Sequence, residues 1–224
     1  MEQLGKVVVE NGGIWLKSLD EVVAFLNTST NVTQDFDARY DAFISFGRQG
    51  NMDFATTIAN RLSEQGFSVF HDMNDIPMMV ENEDYIFTNI LKSDNFIYLI
   101  SPNTVRSEYC SKELEFALKH NKRIIPVLYR DLQYESEMLD GIVAKKTMLK
   151  APKHDAPIEP LIDEIVEIIN TDKKYVRKHS EYLFLARRWD LKGRNQADLL
   201  YGSERKEAVK WLRETSESLQ PLQI

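Results

Sequence analysis

From Tyr40 onwards, the chain alternates between short apolar runs and segments whose apolar positions recur three or four residues apart. The first pattern is typical of buried strands and the second of amphipathic helices. Strands are predicted at 40–46, 67–71, 96–100 and 124–128, with a weaker one near 147–150, and helices at 53–65, 83–91, 107–120 and 158–169. Five strands separated by helices imply right-handed crossovers, so we predict an α/β fold with a flavodoxin-like five-stranded parallel sheet and helices on both faces.

The ends of the chain do not follow this alternation. Residues 1–38 contain an Asn-Gly turn between two β-prone runs, a short amphipathic segment and a polar linker. They are interpreted as an N-terminal accessory hairpin and helix. Residues 171–224 carry two aromatic-striped helical patterns, near 175–192 and 203–214, and are predicted to form a helical basic tail or connector. The central domain is therefore expected at 39–170.

Charge is distributed unevenly along the 224 residues. The net charge is −7, yet residues 173–213 hold 12 lysines and arginines against five acidic residues. A basic tail could bind nucleic acid. Because its charges are interleaved with acids and large apolar groups, docking on an acidic body or on a partner is favoured, and nucleic acid is not the expected ligand.

The chain has one cysteine, no apolar run of membrane-spanning length and no recognisable signal peptide at its start. These features indicate a cytoplasmic protein without membrane association. The four histidines lack metal-site spacing, and the Gly47–Gly50 segment lacks a phosphate-loop fingerprint, so neither a metal nor a cofactor is expected.

The candidate chemistry centres on Glu113. Helical spacing sets it beside Tyr109 and Phe116, at the rim of a face predicted to contact the core. That face comprises Cys110, Leu114, Ala117 and Leu118. Parallel sheets bind ligands beyond the carboxyl ends of their strands. That edge would carry the residues after the first two strands, namely Phe46, Gly47, Arg48 and Asp72.

Several ordered segments together resemble the Toll/interleukin-1 receptor (TIR) domain family in its bacterial branch. They are DAFISF at 41–46, GFSVFHD at 66–72, Asp-Ile-Pro at 75–77, and the run SPNTVRSEYCSKELEFAL with NKRIIPVL across 101–128. The similarity covers about residues 39–170. It implies a five-stranded parallel sheet and, in many bacterial members, cleavage or cyclisation of NAD+ as the substrate.

The resemblance also implies roles for individual residues. Enzymatic relatives carry an aromatic residue followed three positions later by a Lys/Arg-Glu pair, which here falls on Tyr109 and Lys112-Glu113, with tyrosine in place of the usual tryptophan. Glu113 would be catalytic. Phe46, Gly47, Arg48, Asp72 and Tyr109 would bind substrate through ring stacking, diphosphate pairing and the edge loops. For four of these residues an ordinary structural interpretation remains open: Glu113 as a solvated residue, Arg48 as a surface charge, Phe46 as a core residue and Asp72 as a loop cap.

Two functions follow from the family. The first is an NAD+ hydrolase in bacterial immune signalling and antiphage defence, activated by association with other TIR domains. The second is a non-catalytic TIR adaptor. It is kept open because Met79 replaces the glycine usual in the loop that mediates self-association in relatives. Residues 186–212 are similar to connectors that precede sensor modules, which suggests a downstream module or partner.

Overall fold

The computed structural model describes residues 39–71, 83–132, 148–153 and 156–217, so the predicted N-terminal hairpin and helix lie outside the described residues. Five strands form one sheet in the order β2-β1-β3-β4-β5, and every neighbouring pair is parallel. The strands are β1 (Tyr40–Ser45), β2 (Val69–His71), β3 (Ser93–Ile100), β4 (Arg123–Leu128) and β5 (Leu149–Lys150). The predicted parallel sheet and its strand count are confirmed.

Helices connect and flank these strands. They are α1 (Arg48–Glu64), α2 (Glu83–Lys92), α3 (Pro102–Arg106), α4 (Glu108–Lys119), α5 (Glu159–Asn170), α6 (Lys173–Leu191) and α7 (Gly202–Glu217). Helix α1 begins directly after Gly47, five residues before the predicted start at Asp53. The Ser-Pro-Asn segment, interpreted from sequence as a turn, opens the short helix α3, where Ser101 is the N-cap and Pro102 occupies the first turn.

Two hydrophobic clusters cover opposite faces of the sheet because successive strand residues point to opposite sides. Ala42, Ile44 and Phe46 pack in one cluster with α1 and α5, and Phe43, Phe96 and Tyr98 pack in the other with α2 and α4. Helices therefore lie on both faces, as predicted. The prediction that Leu118 faces this core is wrong: Cys110, Leu114 and Ala117 are buried, whereas Leu118 is 42% exposed.

The edge where β1 and β3 begin is rich in buried charge. Asp41 is paired with Lys173 at 2.9 Å and with Arg177 at 3.6 Å, and Arg177 also lies 3.3 Å from the carboxylate of Asp94. These contacts join the first turns of α6 to the starts of two central strands. None was anticipated from the sequence, where the partners are more than 80 residues apart.

Two buried basic side chains at the start of β4 donate hydrogen bonds to helix ends at the same edge. Lys122 donates to the carbonyl oxygens of Leu91 and Ser93 at 2.8 and 2.6 Å, and Arg123 donates to those of Ile168 and Thr171 at 2.7 and 2.6 Å. Carbonyls at a helix C-terminus lack partners within the helix, so side-chain donors there satisfy them. The two side chains thereby hold the ends of α2 and α5.

The described chain divides into two compact units, 39–177 and 178–217. The second unit has its own small core, centred on Tyr182, Trp189, Leu200 and Ala208, with Trp211 edge-on to Tyr182. Gly193, at φ +74°, follows the end of α6, in accordance with the predicted stop. No helix in the part of the chain that the structure describes is both long and apolar enough to cross a membrane.

Candidate active site

A serine and a glutamate meet at the carboxyl end of β1. Ser45, the last residue of the strand and 1% exposed, donates a hydrogen bond from its Oγ atom to Oε2 of Glu113 over 2.5 Å. The two residues are 68 positions apart in sequence. A bond this short from a hydroxyl to a carboxylate is of the charge-assisted kind, which is stronger than a neutral hydrogen bond.

Helix α4 presents Glu113 to the strand because its N-terminus and its apolar face are both fixed. Ser107 is the N-cap and accepts a hydrogen bond from the backbone N–H of Cys110 at 3.3 Å. Cys110, Leu114 and Ala117 form the buried face. Glu113 is half-buried at the margin of that face, so its carboxylate points to the sheet edge while its backbone belongs to a well-capped helix.

Cys110 lies beside this pair and is held as a thiol. Burial raises its pKa to about 11, and the negative charge of Glu113 acts in the same direction. Contacts with the side chains of Ser107 and Ser45 and the charge of Arg48 oppose this rise. A thiol protonated at neutral pH is a poor nucleophile. Cys110 therefore contributes packing to the site, and Glu113 contributes the charge.

Gly47 begins the loop beyond Ser45 and is fastened to α3. Its backbone N–H donates to Oγ1 of Thr104 at 3.0 Å, and that hydroxyl lies 2.9 Å from Oγ of Ser101. A side-chain carbon added at Gly47 would lie 2.7 Å from the backbone carbon of Asn103 and from the nitrogen of Thr104. Only glycine fits this close approach, which fixes the chain just before α1.

The other sequence-predicted residues fall into three groups. Arg48 is the exposed first residue of α1, and Tyr109 is 51% exposed, one helical turn before Glu113. Phe46 is 6% exposed and packs in the hydrophobic core, which is one of the two interpretations that its position left open. Asp72 and the loop with Met78 and Met79 lie outside the described residues.

Contacts with α2 also hold α4 in place. Lys112 and Glu83 form an ion pair at 2.5 Å, and the rings of Phe87 and Phe116 stack with centroids 4.3 Å apart. His120 packs against Phe116 at 4.4 Å. Phe116, predicted only as a neighbour of Glu113, thus serves as an inter-helix contact.

Two polar residues of the site were missed from the sequence, Ser45 and Thr104. For Ser45 the available signal was a hydroxyl at the end of a strand that is apolar after Asp41. Thr104 lies within the short helix α3, where the sequence gives no comparable signal. Among the described residues, no group of three or more His, Cys, Asp or Glu side chains is arranged to hold a metal ion. The site therefore consists of the Glu113 carboxylate, held by Ser45 at the sheet edge that carries Gly47. Arg48 supplies a positive charge nearby, and Tyr109 supplies an aromatic ring.

Comparison with known proteins gives matches to this part of the chain. The family model described as "TIR domain" matches residues 42–162. A protein of Methanobrevibacter olleyae, named "Probable 2' cyclic ADP-D-ribose synthase TcpO", is 27% identical over 164 residues, covering 70% of this chain and 47% of that protein. Human Toll-like receptor 1 is 33% identical over 128 residues, covering 51% of this chain and 16% of the receptor.

The chain thus spans about half or less of the length of these relatives. Among solved structures, the TIR domain of the Toll-related receptor TRR-2 from Hydra magnipapillata is 22% identical, with a TM-score of 0.47, and the match covers 58% of this chain and 98% of that one. The family model alone spans more than half of the 224 residues. The chain belongs to the TIR domain family.

Proposed function

We propose that this protein cleaves the nicotinamide glycosidic bond of NAD+, giving ADP-ribose or a cyclic ADP-ribose, with Glu113 as the catalytic residue. The observation that carries the proposal is the half-buried Glu113 carboxylate, held by the hydroxyl of Ser45 at the carboxyl edge of a parallel sheet. Ligands of such sheets bind at this edge. The cytoplasm is the expected compartment, and immune signalling through NAD+ depletion, including antiphage defence, is the expected role.

The reaction needs little from the protein beyond a well-placed negative charge. Nicotinamide is bound to the ribose through a positively charged nitrogen, so it leaves with the bonding electron pair as a neutral molecule. Positive charge then develops on the ribose, as in other glycoside cleavages. A fixed carboxylate stabilises that charge and holds the ribose hydroxyls, and no proton donor is required for the leaving group.

The remaining edge residues suit the rest of the substrate. Arg48, exposed at the start of α1, offers a guanidinium fork for the diphosphate. Tyr109 offers an exposed ring on which nicotinamide or adenine can stack. Gly47 fixes the backbone at the substrate edge through its close packing against α3, while Phe46 supports that backbone from the core. Asp72 is assigned to the same edge from its position after β2.

The relatives support the choice of substrate. The alignment with the protein named "Probable 2' cyclic ADP-D-ribose synthase TcpO" covers 70% of this chain. A cyclic ADP-ribose is what remains of NAD+ when nicotinamide leaves and the ribose forms a new bond within the same molecule. Cyclisation differs from hydrolysis only in the attacking group, a nitrogen or hydroxyl of the same molecule in place of water. Self-association with other TIR domains is the expected means of activation.

The test measures NAD+ loss and identifies the products by mass spectrometry, over a series of protein concentrations. Glu113→Gln keeps the size of the side chain and removes its charge. Glu115→Gln, an exposed position on the same helix, is the matched control. The expected result is NAD+ loss with the wild type and with Glu115→Gln, and none with Glu113→Gln. Equal loss with all three would overturn the assignment of Glu113.

Absence of turnover by the wild type at any concentration, combined with concentration-dependent assembly in light scattering, would instead identify an adaptor. The concentration series serves this purpose because an enzyme activated by association should gain specific activity as it is concentrated.

A further inference from the structure

We propose that Ser45 is a positioning residue that fixes the Glu113 carboxylate in its reactive orientation. This inference rests on the proposed cleavage of NAD+ and names a residue on which that reaction depends. Its basis is the 2.5 Å hydrogen bond from Ser45 Oγ to Glu113 Oε2, which joins β1 to the helix that carries the carboxylate.

The anchor is rigid because of where Ser45 lies. It ends β1, which has β2 on one side and β3 on the other, and it is in register with Tyr98 of β3. Its side chain is buried, so the hydroxyl has few alternative directions. The Glu113 side chain, in contrast, extends from a helix surface through several rotatable bonds. The hydrogen bond therefore restrains one carboxylate oxygen of Glu113 relative to the sheet.

The anchor also sets the carboxylate relative to the substrate loop. Gly47 and Arg48 follow Ser45 by two and three residues, and the N–H of Gly47 is held by Thr104. Ser45 therefore connects the charge on α4 to the backbone that begins α1. A shift of the carboxylate by about 1 Å would break this alignment, and displacements of that size are costly to catalysis.

A purely structural role would not call for a serine here. The rest of the buried part of β1 after Asp41 is apolar, namely Ala42, Phe43 and Ile44, and burying a hydroxyl is unfavourable unless it is hydrogen-bonded. Alanine would pack at the strand end without that requirement. The hydroxyl is satisfied by the carboxylate, which is the group that the proposed reaction uses.

The experiment compares kcat and KM for the wild type, Ser45→Ala, Ser45→Thr, Glu113→Ala and the double variant Ser45→Ala/Glu113→Ala. Ser93→Ala is the matched control, because Ser93 is also a buried strand serine but donates to the backbone oxygen of Asn89 at the opposite edge. A hydrogen bond to a charged group is strong enough that its loss should lower kcat about ten- to hundredfold.

The expected pattern is a fall in kcat for Ser45→Ala with KM changed less than threefold, about wild-type values for Ser93→Ala, and recovery of most of the activity in Ser45→Thr. A wild-type kcat for Ser45→Ala, or an equal fall for Ser93→Ala, would overturn the positioning role while leaving the proposed function intact. Failure of the proposed function itself would show as no NAD+ cleavage by the wild type, and failure of the Glu113 assignment as cleavage that survives in Glu113→Ala.

Urea unfolding of the same proteins tests the contact without any reference to activity. Ser45→Ala and Glu113→Ala should be coupled, with the double variant more stable than the sum of the single losses predicts, because the second change removes a contact that is already lost. Additive losses would show that the two side chains do not interact in solution and would overturn the inference.

Discussion

The ammonium of Lys112 lies 2.5 Å from Oε1 of Glu83 on α2, while its sequence neighbour Glu113 is bound to Ser45 on β1. Two adjacent residues of α4 are therefore held by different elements, on different sides of the helix. The two residues therefore have different roles. Lys112 links α4 to α2, and Glu113 faces the candidate active site.

The Lys112 contact should contribute little to stability, because both side chains are about half exposed and water and salt screen such pairs. Lys112→Gln is expected to shift the urea midpoint slightly at low salt and not at all in 1 M NaCl, with NAD+ turnover retained. Unfolding curves at the two salt concentrations check this. A shift that persists in 1 M NaCl would mean that Lys112 acts through packing of its alkyl chain.

Tyr109 should affect substrate binding more than folding. Its ring is 51% exposed, so Tyr109→Ala is expected to raise the KM for NAD+ by roughly two- to tenfold, the loss of one aromatic contact, with an unfolding midpoint near that of the wild type. Steady-state kinetics check the change. Tyr201→Ala, at a tyrosine 63% exposed in the second unit, is the control and should leave KM as it is.

Gly47→Ala should destabilise the protein by about 1–3 kcal/mol, because the added carbon would lie 2.7 Å from backbone atoms of α3 that cannot move independently. Urea unfolding measures the loss. Turnover should fall as well, since the displaced segment leads from Ser45 into α1. An alanine variant as stable as the wild type would show that α3 can shift away.

Thr104→Val preserves the shape of the side chain and removes the hydroxyl that accepts the N–H of Gly47. The buried N–H would then lack a partner, at a cost of about 1–3 kcal/mol in the free energy of unfolding. Thr57→Val is the control, because the Thr57 hydroxyl is exposed and binds only the carbonyl of Asp53 in its own helix. It should change stability by less than about 0.5 kcal/mol.

Lys122 should make stability depend on pH in the alkaline range. Burial lowers its pKa to about 7, and Arg39 acts in the same direction while Asp94 opposes it. Between about pH 7 and the ordinary lysine pKa, the unfolded chain binds a proton that the folded chain does not. The contribution of this residue to stability therefore rises with pH across that window, by up to about 1.4 kcal/mol per unit.

The measurement for Lys122 is the difference in unfolding free energy between the wild type and Lys122→Met from pH 7 to 9.5. Other titrating groups, including the tyrosines, are common to both proteins and cancel. The difference should move in favour of the wild type as the pH rises. A difference that stays constant would mean that the two carbonyl partners keep Lys122 protonated throughout.

The sheet could be predicted from sequence because its strands are short apolar runs separated by amphipathic segments, a pattern that few folds other than a parallel α/β sheet explain. The start of α1 could not, since Arg48–Met52 contains Gly50 and polar side chains without apolar period, and the segment becomes helical where Gly47 docks on α3. Leu118 was misassigned because helical spacing alone does not show where the buried face of a helix ends. In the folded helix the buried face ends at Ala117.

The candidate site was predictable only in part for a related reason. Glu113 and Tyr109 belong to one helix, and a short local pattern describes their relationship. Ser45 acquires its significance from a residue 68 positions away, and Thr104 from one 57 positions away. Such pairings arise from the order in which strands join the sheet, which a periodic pattern within one element does not encode.

The ion pairs of Asp41 and Asp94 with Lys173 and Arg177 lie at the beginning of β1 and β3, whereas Ser45 lies at the end of β1, four residues or about 13 Å along the strand. The first unit ends at Arg177. The ion pairs that hold the first turns of α6 and the hydrogen bond on Glu113 therefore act on opposite ends of the same strand.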